Sequence, residues 1–280
     1  MARFVCLLLP LMLATQILNA AAHRDVEYGR AGGGALLLDA EVPDGPGPFP
    51  AVIIVHGGGW IGGHRQLSVE PLFQPLSKAG FAWFSISYRL AKDLFQFGVA
   101  VDDVQTAIQF VRKSAAQYNV DPDRIAVLGE SAGAHLAALA VERSPKSVAA
   151  IVAMYPPSDL LNLAKTTVAI PESVRQAIRA AGMESIISGY LREMSPIEHV
   201  TGDLPPFLLI HGTEDGVVPF RQSEDMLKKL QETGIPSELI AVQGGGHGLR
   251  GWERSQALSG YRQKMIAWLN LWLKRTEAKA

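Results

Sequence analysis

Apolar positions along this chain follow two periods. Short runs without polar alternation recur at Ala51 to Val55 (AVIIV), Phe81 to Tyr88 (FAWFSISY), Arg124 to Leu128 (RIAVL), Val148 to Tyr155 and Phe207 to Ile210. Such runs predict strands buried on both faces. Ala35 to Val42, after the Gly32-Gly33-Gly34 turn, alternates as a strand, and Glu238 to Val242 reads as the last one. Between these lie stretches with helical spacing: Leu67 to Ala79, Val101 to Tyr118, Ala132 to Glu142, Ser223 to Thr233 and an amphipathic Arg254 to Arg275. Proline and glycine mark turns at Pro43 to Pro50, and Asp121-Pro122-Asp123 predicts another. Strands that alternate with helices require crossover connections, so the pattern predicts an α/β fold on a mostly parallel sheet with helices on both faces. From Ser158 to Val200 the alternation lapses into helix-like pieces broken by Pro171, Gly182 and Gly189. We expect a short cap there, within one domain spanning residues 23–280.

The first residues obey a different rule. Arg3 supplies a positive start, Phe4 to Leu18 is an apolar run too short to span a bilayer, and Ala20-Ala21-Ala22 precedes the polar His23. This predicts a cleaved signal peptide over residues 1–22 and a secreted or periplasmic protein left without a membrane anchor. The single cysteine, Cys6, falls inside that segment. A mature chain without thiols has no disulfide, no cysteine nucleophile and no cysteine-bound metal. Charged residues make up 19% of the chain, the net charge is −1, and no Lys/Arg block tracks phosphates, so nucleic acid is excluded as a partner. The seven histidines show no HxH or HxxxH spacing, and neither a metal nor a cofactor is expected.

Three segments carry candidate chemistry. Gly129-Glu130-Ser131-Ala132-Gly133 is a G-x-S-x-G pentapeptide between a buried strand and a helix, where a sharp turn projects the Ser131 hydroxyl from the sheet edge. His56-Gly57-Gly58-Gly59-Trp60 directly follows an early strand. Its glycines let backbone approach a substrate, so the N–H groups of Gly58 and Gly59, with that of Ala132, are candidates for an oxyanion hole. His56 reads as a loop-ordering residue, and Trp60 as a wall of the substrate site or as packing. A hydroxyl needs a base, and the base needs an orienting acid. In the order Ser…Asp…His, Asp215 follows the strand ending at Ile210, with Glu214 as the adjacent rival, and His247 lies in the glycine-rich loop after the last strand. His135, His211, His64, His199 and His23 have quieter readings as helix, strand-end and loop residues.

The combination HGGGW, SYRL (Ser87 to Leu90), DPDRIAVLGESAGAHLAAL, HGTEDGVVPF and GGGHG resembles the hormone-sensitive-lipase-like esterases, nearest the group typified by bifunctional acetylxylan and feruloyl esterases. That resemblance covers the chain from about Val26 onward and is weakest from Ser158 to Val200. It implies an α/β-hydrolase sheet of eight strands, cofactor-free hydrolysis of carboxylic esters with short acyl groups, and acetyl or feruloyl esters of plant polysaccharide as substrates. Two other readings stand beside it. An arylformamidase-like amidase or small-peptide hydrolase would use a similar elbow, although the export signal and the lack of a propeller-like stretch weigh against it. A binding protein built on an inactive hydrolase, as in the plant gibberellin receptor, would be expected to have lost one of Ser131, Asp215 and His247, and all three are present.

Overall fold

The computed structural model describes residues 21–93, 96–166 and 172–274. Eight strands, β1 (Ala21–Ala31), β2 (Gly34–Val42), β3 (Phe49–Val55), β4 (Ala82–Ile86), β5 (Val120–Glu130), β6 (Ala150–Met154), β7 (Phe207–Gly212) and β8 (Ser237–Val242), form one sheet in the order β1-β2-β4-β3-β5-β6-β7-β8. Pairs β1–β2 and β2–β4 are antiparallel, and from β4 through β8 every pair is parallel. Strand side chains alternate between faces, so each apolar run feeds two cores. Ile53, Val127, Ile151 and Leu209 enter one, together with α2 (Phe97–Lys113), α3 (Ala132–Glu142) and α7 (Arg221–Glu232). Ile54, Leu128, Val152 and Leu208 enter the other, against α1 (Glu70–Lys78), α8 (Leu249–Glu253) and α9 (Tyr261–Leu273). This is why the central strands show no polar face. Burying each Val, Leu or Ile contributes roughly 1.5–3 kcal/mol.

The described residues between 158 and 200 form α4 (Leu160–Thr166), α5 (Glu172–Ala180) and α6 (Glu184–Glu193), followed by a 3-10 turn at Pro196–Glu198. Leu160, Leu191 and Met194 are buried and join the α2/α3 core, so this segment is fastened to the sheet rather than separate from it. Ser195 Oγ accepts the Leu160 N–H at 2.9 Å and donates to Leu191 O at 2.7 Å, pinning the two ends together.

The sequence pattern departs from the structure at α2, which runs Phe97–Lys113 rather than from Val101 to Tyr118, and at three further places. β1 was not expected, because AAHRDVEYGRA has no apolar alternation; it is held by backbone pairing with β2 and by a charge cluster at its kink. Asp25 there has φ of 53° and pairs with the buried Arg65, which also lies 3.1 Å from buried Asp39. Asp121-Pro122-Asp123 lies inside β5 rather than in a turn before it, and a register shift between Phe49 and Ala51 of β3 absorbs those residues. Finally, the C-terminal helix begins at Tyr261, not Arg254, because Ser255 to Gly260 close into turns; Arg275, like residues 1–20 of the expected leader and Pro171, lies outside the described residues.

One buried group has no obvious support. Both carboxyl oxygens of Glu142, at the end of α3, are shielded from solvent and lack a hydrogen-bond partner among the described residues. Burial pushes this carboxyl well above the ordinary carboxylate range. Since the folded chain holds the proton that the unfolded chain releases, stability falls as pH rises above the unfolded value of about 4.3. We therefore expect Glu142→Gln to raise Tm by about 3–6 °C at pH 8 and by clearly less at pH 4.5, in thermal melts at both values. Equal shifts at the two pH values would contradict this.

Candidate active site

The elbow is built by exclusion. Ser131 stands between β5 and α3 at φ 51° and ψ −122°, a region costly for a residue with a Cβ. The residues two positions before and after it must be glycine: a Cβ on Gly129 would lie 2.3 Å from Gly133 O, and one on Gly133 only 2.2 Å from Val55 O. The latter contact also shows that the end of β3 presses against the start of α3, so the glycine turn after β3 sets out from the elbow. Ser131 N–H donates to Met154 O at 2.9 Å, so β6 fixes the turn from its other side.

The Ser131 hydroxyl lies 3.0 Å from His247 Nε2, and His247 Nδ1 lies 2.7 Å from Asp215 Oδ2. A carboxylate can only accept here, so Nδ1 carries the proton and Nε2 presents its lone pair to Ser131. Asp215 is buried, yet it remains ionised. Burial opposes the charge, but hydrogen bonds from His211 and His247, electrostatic attraction to His247 and the Val218 N–H outweigh it and hold the carboxyl well below the usual range. Its Oδ1 accepts the N–H groups of Val217 and Val218, both at 2.9 Å. Glu214, the sequence rival, is exposed and takes no part in this chain.

Gly58 (φ 116°), Gly59 (φ 60°) and Trp60 (φ 65°) form the turn after β3, closed by Gly62 N–H to Gly58 O at 3.0 Å. Among the described residues no group accepts the N–H of Gly58, Gly59 or Ala132, so these three donors remain unspent. Trp60 is half-buried, stacked on Phe97 at 4.5 Å, with its indole N–H donated to His135 Nδ1 at 3.1 Å. His135 is fully buried and donates from Nε2 to Met194 O at 2.7 Å. Burial pushes its pKa down to about 4 against the opposing Met194 hydrogen bond, so it stays neutral. It rivets the Trp60 loop to the segment that ends the cap, a role its position on a helix did not announce. His56 is buried, stacked on Tyr88 at 4.4 Å, and bonds Gly57 O at 2.7 Å, the loop-ordering part expected of it.

His211 emerges as a further neighbour of the acid: its Nε2 is 3.3 Å from Asp215 Oδ2 and 2.9 Å from Val218 O, while Nδ1 accepts from Ser223 Oγ at 2.7 Å. Among the described residues, His64 accepts the Gln66 N–H and His199 bonds Glu193 O, both local loop contacts. Among the described residues no group of three or more His, Cys, Asp or Glu side chains is disposed to hold a metal ion.

An eight-stranded sheet with this order and a serine held at the strand-to-helix elbow after β5 define the α/β-hydrolase class. A truncated carbohydrate esterase from gut microbiota superposes with a TM-score of 0.76 at 26% identity, over 94% of this chain and 99% of that one. Residues 38–230 match the BD-FAE family model, and the chain belongs to that family. Among curated relatives, the esterase LipC of Mycobacterium tuberculosis is 32% identical over 72% of this chain, and a probable isoprenylcysteine alpha-carbonyl methylesterase of Arabidopsis thaliana is 32% identical over 75%. The chain spans about half the length of these relatives, 53% and 48% respectively.

Proposed function

We propose that this protein hydrolyses carboxylic esters of short acyl groups, with Ser131 as nucleophile, His247 as general base and acid, and Asp215 as its orienting partner. The observation that carries the reading is the unbroken hydrogen-bond chain from Asp215 through His247 to Ser131, set beside the unspent N–H groups of Gly58, Gly59 and Ala132. As Oγ attacks the ester carbonyl, its proton passes to His247 Nε2, and Asp215 stabilises the imidazolium that forms. The three N–H groups receive the oxygen as it becomes negative. His247 then protonates the leaving alcohol, and water repeats the sequence on the acyl-enzyme. The relatives named as esterases support the reaction. The likeness to a carbohydrate esterase supports polysaccharide-linked acetyl or feruloyl esters as substrates, with export as the matching location.

The short-acyl preference rests on how the cap spends its apolar residues. Leu160 is buried in the core, Leu161 and Ile187 pack against it, and Ile186 faces solvent, so no continuous groove remains among these side chains. Each methylene contributes about 0.8 kcal/mol only where it is buried. Chain extension should then add no transition-state binding. With monomeric p-nitrophenyl esters, acetate and butyrate are expected to exceed dodecanoate at least roughly tenfold in kcat/KM, and acetylated xylan and methyl ferulate belong in the same screen. A kcat/KM that climbs steadily from acetate to dodecanoate would defeat the short-acyl reading, and no turnover of any ester would defeat the function.

A further inference from the structure

Between Gly129 and Ser131 sits a carboxylate that the mechanism leaves unused. Glu130 is buried, with 4% exposure, and its two oxygens face different walls of the site. Oε1 accepts the N–H of Gly57 at 3.0 Å, immediately before the Gly58-Gly59 donors. The contact is so close that a Cβ on Gly57 would lie 3.1 Å from Oε1 and 3.0 Å from Glu130 O. Oε2 accepts the Tyr155 hydroxyl at 2.5 Å. That same hydroxyl oxygen accepts the N–H of Leu249, two residues beyond His247, at 3.2 Å. The Tyr155 ring packs edge-on against the His247 ring, with centroids 4.7 Å apart.

Tyr155 is itself forced into place. It is fully buried at φ 41°, a conformation that an aromatic residue avoids, and its N–H is tied to Ile210 O at 2.7 Å. Strain of this kind persists only where the surroundings over-determine it. A hydrogen bond from a phenol to a buried carboxylate is among the stronger ones available for that purpose.

We infer that Glu130 and Tyr155 form a positioning pair which sets the oxyanion turn, through Gly57, and the His247 loop, through Leu249, at a fixed separation on either side of Ser131. Neither touches the substrate; both act through the groups that do. The inference rests on the ester-hydrolase reading. Its physical logic is that donors must meet the oxyanion within tenths of an ångström, and a misplacement of about 1 Å costs on the order of 100-fold. The loss should fall on kcat and spare KM, because the ground-state carbonyl makes less use of those donors.

The test uses the full-length protein, with p-nitrophenyl acetate as substrate and diethyl p-nitrophenyl phosphate as an active-site titrant, so that rates are counted per competent serine. Glu130→Ala is expected to lower kcat roughly 10- to 100-fold with KM within about threefold. Glu130→Gln keeps the shape and an acceptor for Gly57, and should recover kcat to within about threefold of the wild type. Tyr155→Phe removes one oxygen and should cost roughly 3- to 10-fold. The double variant Glu130→Ala/Tyr155→Phe should lose less than the product of the single losses, since the two residues share one chain of bonds. A Glu130→Ala variant with unchanged kcat per titrated site, or a double variant whose losses simply multiply, would overturn the inference. If Glu130→Ala does not fold, Tyr155→Phe decides, and an unchanged kcat there would overturn it equally. An inactive wild type would overturn the ester-hydrolase reading and this inference with it, whereas an active wild type with unaffected variants overturns this inference alone.

Discussion

Ser131→Ala is expected to lose on the order of 10⁴- to 10⁶-fold in kcat for p-nitrophenyl acetate while melting within a degree or two of the wild type. Among the described residues the Ser131 hydroxyl bonds only His247 Nε2, so removing it breaks no other side-chain bond. Alanine keeps the Cβ, and with it the same backbone strain at φ 51°, so the elbow has no new reason to relax. What remains is the binding of the ester and the N–H donors of the turn, which by themselves supply only the residual acceleration. A folded variant that kept a tenth of wild-type kcat would remove Ser131 from its proposed role.

Asp215→Asn should cost roughly 10³- to 10⁴-fold, through a misplaced proton rather than a misplaced ring. The N–H groups of Val217 and Val218 both point at Oδ1, so the asparagine must put its oxygen there. Its NH₂ then occupies the Oδ2 position, facing His247 Nδ1 and His211 Nε2. An amide N–H donated to His247 Nδ1 moves the ring proton to Nε2, where it faces Ser131 as a donor and can no longer take the hydroxyl proton. The same substitution has a pH signature in stability. Because the folded pKa of Asp215 is depressed, its stabilisation is present above the unfolded value of about 3.9 and is lost as pH falls toward the lower folded value. The asparagine variant should lack this acid-side decline, so the difference in denaturation midpoint between wild type and variant should shrink below about pH 4. Retention of more than a tenth of kcat, or a stability difference that ignores pH, would refute the account.

Much of the sheet could be read from the chain because its central strands are buried on both faces. AVIIV, RIAVL and the run ending at Tyr155 need no partner to be recognised, since few other structures absorb an unbroken apolar run of that length between turns. β1 escaped notice for the opposite reason. Its side chains are mostly exposed, and what holds it, the ladder to β2 and the Asp25–Arg65 pair, joins residues distant in sequence. The same distinction divides the site. Ser131, Asp215 and His247 each stand in a local context of strand end and glycine, and the structure brings those three together. Glu130, Tyr155, His135 and His211 carry no local mark. Glu130 is simply the variable position of a pentapeptide until Tyr155 is seen against it, and His135 is one polar residue on an alanine-rich helix until Trp60 and Met194 close on its two nitrogens. Reciprocal contacts of this kind are properties of packing, and a linear pattern does not contain them.

Five non-glycine residues adopt positive φ in the described chain, and three of them stand at the parts of the active site: Trp60 in the glycine turn, Ser131 at the elbow and Tyr155 against the His247 ring. The usual route to a more heat-resistant protein replaces conformational awkwardness with something easier. Here that route is closed: glycine at any of the three would ease the backbone and delete the side chain for which the backbone was bent. Selection for thermal tolerance should therefore gather its changes far from this corner, on exposed helix faces and in the hairpin of β1 and β2. Libraries that retain turnover should return Trp60, Ser131 and Tyr155 untouched, so that the least comfortable part of the chain becomes its most durable in evolution.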